Sequence, residues 1–110
     1  MINNKKDLAT IIAAFLNKYK LSRDSVTISG YEFIIDAFID VSISQESICV
    51  LHDDSVRFKG YATIYKHDSA SNVHTYDKVN FFGTAFFASD PQGDSILYKA
   101  SINQIKQFKV

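Results

Sequence analysis

From Tyr31 to Ile43 every odd position is apolar or aromatic: Tyr31, Phe33, Ile35, Ala37, Ile39, Val41 and Ile43. The even positions hold Glu32, Asp36, Asp40 and Ser42, with Ile34 and Phe38 between them. A two-residue period sustained this long, with β-branched side chains, predicts a long strand buried on one face. The rest of the chain supplies its neighbours. Val56–Lys66 alternates again, with Val56, Phe58, Gly60, Ala62 and Ile64 on one side and Arg57, Lys59, Tyr61, Thr63 and Tyr65 on the other. Val73–Ala88 is a second long extended segment, Ile96–Ile102 a further one, and Ile105–Val110 is expected to form one more. Gln45-Glu46, His52–Ser55, His67–Asn72 and Ser89–Asp94 read as connectors, and Ser47–Leu51 as a short strand. Connections this short leave no room for crossover helices, so the strands must run as an antiparallel meander.

Before residue 25 the period is that of a helix. Leu8, Ile11, Ile12, Phe15 and Tyr19 form one stripe within residues 4–20. Asn4 is placed to cap the helix, Asp7 suits its positive end and Lys18 and Lys20 its negative end. One helix and six to seven strands define an α+β fold, with a curled sheet, partial barrel or sandwich packed on the N-terminal helix. With 110 residues and no composition break or repeat, the chain is expected to be one globular domain, 1–110.

The segment Phe81-Phe82-Gly83-Thr84-Ala85-Phe86-Phe87 puts two phenylalanines on each face of its strand. Such a strand is expected to be covered on both faces, one by the helix and the other by a second sheet layer, a strongly curled sheet or another chain, with Gly83 marking a bend or bulge. Monomer and homodimer both satisfy that. Cys49, the lone cysteine, sits in Ile48-Cys49-Val50-Leu51 and is expected in the core. One cysteine cannot form an internal disulfide. Lys5, Lys6 and the run Leu8–Leu16 imitate a secretory signal, but Asp7 abuts the run and no small-residue cleavage site follows. The run is too short to span a bilayer, and a cytoplasmic location is expected.

No motif names a reaction. His52, His67 and His74 show none of the tight spacings of metal sites, and two of them fall in expected turns. No metal, cofactor or catalytic residue is assigned. Nucleic-acid binding would need a basic stripe with interleaved aromatics, and Arg57, Lys59, Tyr61, Tyr65 and Lys66 come closest. Because the overall balance is neutral, no direct nucleic-acid partner is expected.

Charge is nevertheless segregated. Between Asp24 and Val56 lie seven carboxylates and no lysine or arginine, a formal charge of −7, against +4 before and +3 after. Such a segment can steer a basic partner. Asp36 and Asp40 fall on one expected strand face with Phe38 between them, like an interface with an aromatic anchor and a charged surround. The expected partner-binding residues are therefore Tyr31, Glu32, Asp36, Phe38, Asp40, Glu46, Asp53 and Asp54.

A short, cysteine-poor α+β chain with segregated acidic charge resembles the small immunity proteins of bacterial toxin–immunity systems, including contact-dependent inhibition. The resemblance spans the whole chain in character and rests on no motif. It implies a non-catalytic inhibitor whose carboxylates stand in for substrate phosphates in the groove of a cognate basic nuclease toxin. The alternative is a ligand-binding or enzymatic domain with an apolar cavity lined by Phe81, Phe82, Phe86 and Phe87.

Overall fold

A computed structural model describes residues 4–18, 25–28, 30–89 and 91–107. The change of period is realised as α1 (Lys5–Lys18), β1 (Ser25–Ile28), β2 (Tyr31–Ile43), a 3-10 turn (Gln45–Ser47), β3 (Cys49–Val50), β4 (Val56–Asp68), β5 (His74–Ser89) and β6 (Ser95–Gln107). Tyr19 and Lys20 of the expected helix, Asp24 of the acidic segment and residues 108–110 lie outside the described residues. All strands join one antiparallel sheet in the order β1-β2-β4-β5-β6, with β3 pairing β4 past the end of β2. Since β3 continues the line of β2, spatial neighbours are sequence neighbours, which is the expected meander. The sheet does not close. β1 and β6 instead border a groove lined by Val26, Thr27 and Ile102 through Ile105.

Asn4 caps α1: the Lys6 N–H donates to its Oδ1 at 2.9 Å and the Leu8 N–H to its carbonyl at 3.0 Å. The buried ridge is Leu8, Ile12 and Leu16, spaced by four. This rotates the expected stripe by part of a turn, so that Ile11 and Phe15 flank it half-buried. The ridge packs on the inward residues of the sheet, among them Ile35, Phe38, Phe58, Ile64, Val79 and Phe81. Phe81 lies edge-on to Phe38 and Phe58, with centroids 5.6 and 6.1 Å away, and so fills the core. Gly83 makes room for that packing, because a Cβ there would sit 2.5 Å from the Phe58 ring and 2.8 Å from the Ser101 carbonyl.

Strand β2 is not a regular alternation. Ile35 pairs Lys66 and Ala37 pairs Tyr65, leaving Asp36 as an extra residue. Ile39 pairs Thr63 and Ser42 pairs Tyr61, so Asp40 and Val41 together oppose Ala62. These are two bulges. The first shifts the inward phase from odd to even positions, and the second shifts it back. Phe38 therefore points into the core at 2% exposure rather than sharing a face with the aspartates. It cannot serve as an exposed anchor. Asp40 adopts φ 52°, a left-handed conformation that aspartate tolerates better than most residues. The Val41 N–H, displaced from the ladder, donates to Asn17 Oδ1 of α1 at 3.2 Å.

A register slip corrects the cysteine. Cys49 pairs Arg57 and Val50 pairs Val56, one step from a hairpin in which Leu51 would face Val56. A one-residue slip exchanges the faces. Ile48 is buried and Cys49 is exposed. The strands also run further than expected: β4 and β5 pair out to His67 and His74, and β6 is continuous through residue 105. Lys66 lies on the inward side, nearly buried, donating to Thr75 Oγ1 at 2.7 Å and standing 3.9 Å from Asp77 Oδ2. It does not belong with Arg57 and Lys59.

Candidate functional site

The helix covers one face of the sheet. On the other face Arg57, Lys59, Tyr61, Tyr65 and His67 of β4 stand opposite Thr84, Phe82, Asn80, Tyr76 and His74 of β5. The register fixes these pairs, and several touch. Tyr65 and Tyr76 have ring centroids 4.8 Å apart, and Tyr65 stacks on His74 at 5.4 Å. Lys59 Nζ lies 4.9 Å from the Phe82 centroid, and Lys99 Nζ lies 5.6 Å from that of Phe86. Tyr61 (55%), Tyr76 (66%) and Phe82 (40%) remain exposed. The second face of residues 81–87 is thus uncovered by any described element. Lysines from the neighbouring strands lie over its rings instead.

Three residues converge at one end of this face. His67 and His74 are directly opposite in the ladder, with centroids 4.8 Å apart. Asp36, released from regular spacing by the first bulge, brings its Oδ2 to 2.8 Å from His67 Nδ1 and 3.7 Å from His74 Nε2. One donor atom from each lies within 4.8 Å of the others. Two imidazoles and a carboxylate form a ligand set of the kind that binds divalent transition metals. Sequence spacing hid this set because His67 and the residues after it read as a polar loop. A register extended to the end of β4 would have found it.

The acidic residues are dispersed. Tyr31 and Glu32 are exposed at the start of β2, close to Asp68, while Glu46, Asp53 and Asp54 are exposed at the opposite end, where β4 begins. A 13-residue strand separates the two groups by about 40 Å at ~3.3 Å per residue. Asp36 is engaged with the histidines. Asp53 accepts hydrogen bonds from the Ser55 hydroxyl at 2.6 Å and the Ser55 N–H at 3.1 Å, which hold its carboxyl below the usual 3.8. Among the described residues, Glu32, Asp40, Glu46, Asp53 and Asp54 form no ion pair with lysine or arginine. Arg57 and Lys59 do not neutralise them across the sheet.

No family model, curated protein or solved structure matches the chain. No described helix is long and apolar enough to cross a membrane.

Proposed function

We propose that the protein is a non-catalytic binding module that acts on a partner protein, as the immunity proteins it resembles do, with the uncovered sheet face as its contact surface. The observation that carries this is the set of exposed rings Tyr61, Tyr76 and Phe82, held on a hydrogen-bonded ladder beside Arg57, Lys59 and Lys78. Aromatic and arginine side chains fixed in advance on a rigid element bind at low entropic cost. The surrounding cations favour a partner patch of carboxylates around an apolar centre. Single-stranded nucleic acid fits less well, because Phe82 and Phe86 already carry lysines and Tyr65 and Tyr76 pack on one another, whereas base stacking needs free ring faces.

The five carboxylates that form no ion pair with lysine or arginine among the described residues favour a second reading, in which Glu46, Asp53 and Asp54 meet a basic nuclease toxin. The test compares three baits in extracts of the native host: the unmodified chain, Tyr61→Ala/Tyr76→Ala, and Asp53→Lys/Asp54→Lys. A partner retained by the first and third but lost by the second supports the sheet face. Loss only in the third moves the contact to the acidic end. Equal retention by all three refutes both readings. Anisotropy of a labelled single-stranded oligonucleotide completes the comparison, and tight binding that Tyr61→Ala/Tyr76→Ala abolishes would overturn the choice of a protein partner.

A further inference from the structure

We propose that Asp36, His67 and His74 form a binding site for one divalent transition-metal ion of the zinc type, open to solvent on one side. The donor geometry is close to what such an ion requires. Tetrahedral zinc with bonds of about 2.0–2.1 Å sets its donor atoms about 3.4 Å apart. Here the carboxylate oxygen stands 2.8 Å from one imidazole nitrogen and 3.7 Å from the other. The widest separation is within 4.8 Å, and metal binding would draw those donors closer together.

The backbone reasons are specific. Cross-strand pairing holds the two histidines opposite each other at the end of the β4–β5 hairpin. The third ligand comes from the next strand, at the residue the ladder leaves over. Bulges commonly serve to re-aim a side chain in this way. Stacking of His74 on Tyr65 restricts its ring and lowers the ordering cost of binding. His67 is mostly covered, with side-chain exposure of 18%, while Asp36 and His74 reach 32% and 39%, so an ion has an entry path.

Imidazole and carboxylate donors favour zinc, nickel, cobalt or copper over magnesium and calcium, which prefer oxygen cages. Three protein ligands leave a coordination position for water or for a donor atom from outside the chain. Bound metal would replace the Asp36–His67 hydrogen bond and cross-link β2 to the hairpin. This inference does not rest on the docking surface proposed above, because it needs no partner.

The experiment uses the full chain without a histidine tag and Zn2+ as the probe. Calorimetry should show one ion per chain, and NMR should show Zn2+ moving the imidazole signals of His67 and His74 but not those of His52, which lies exposed in a turn. Asp36→Asn and His74→Gln should each weaken binding at least tenfold, with the metal-free melting midpoint of His74→Gln near that of the unmodified chain. If Asp36→Asn unfolds, His74→Gln carries the test, because it truncates a partly exposed ring. Mg2+ at the same concentration should leave the signals unmoved. Absence of binding at millimolar Zn2+, equal perturbation of His52, or affinity unchanged in His74→Gln would overturn the proposal.

Discussion

Replacing Phe38 by alanine separates a core position from a surface anchor. The ring is 2% exposed, packs edge-on against Phe81 and lies in the same cluster as Ile35, Ile64 and the α1 ridge. Removing a fully buried phenylalanine costs about 3–5 kcal/mol, through lost transfer free energy and the cavity left behind. The site cannot collapse easily, because pairing of Phe38 with Ile64 holds the backbone on β4 and the aromatic contact is lost as well. A cost of about 4 kcal/mol is therefore expected. That is a large part of the roughly 5–15 kcal/mol available to a domain of this size. In urea, with a slope of about 2 kcal/mol/M, the midpoint should fall by about 2 M. Ile39→Ala, on the other face of the same strand, should shift it much less. A Phe38→Ala midpoint within about 0.3 M of the unmodified chain would refute the bulged register and return Phe38 to the surface.

Gly83→Ala should destabilise by about 1–3 kcal/mol or more, because the new methyl meets the Phe58 ring and the Ser101 carbonyl; thermal unfolding checks this, and Phe58→Leu should restore only part, since the backbone contact persists. The Asp53 carboxyl should titrate below 3.8 by NMR and return toward it in Ser55→Ala. Its folded-state value is depressed, so its stabilisation is present above the ordinary carboxylate value and disappears as pH falls through the folded value. Cys49 should react with a thiol reagent in the native state at a rate near that of the unfolded chain; protection would place it back in the core.

Local signals survived into the structure wherever they did not depend on register. The Asn4 cap, the helix and the long strands each rest on near neighbours, and all of them form. What the sequence could not supply was phase. Hydropathy records alternation but not which residue a bulge will leave over, so Phe38 read as surface. Its even position, with that of Ile34, was the one visible irregularity. Register across the β3–β4 turn depends on a five-residue connection (Leu51 to Ser55) closed by a Leu51 N–H to Ser55 carbonyl bond, and a single step decides whether Cys49 faces in or out. The histidine cluster needed three strands in correct register at once. Tyr76, Lys78 and Phe82 were legible as one side of a strand, but not as the side left bare.

The two bulges of β2 carry a consequence for how this strand could have been lengthened. Excise Asp36 and Asp40 together, and Ala37, Phe38, Ile39, Val41, Ser42 and Ile43 fall opposite Tyr65 through Gly60 one for one, with Ile35, Phe38, Val41 and Ile43 all turned inward. Either excision alone would also leave the remaining pairs with β4 in register, because each aspartate belongs to its own bulge. The aspartates behave as two independent insertions into a ladder that pairs on either side of each. Their acidic side chains are additions to that ladder, placed where the sheet gains charge while the pairing with β4 resumes on either side.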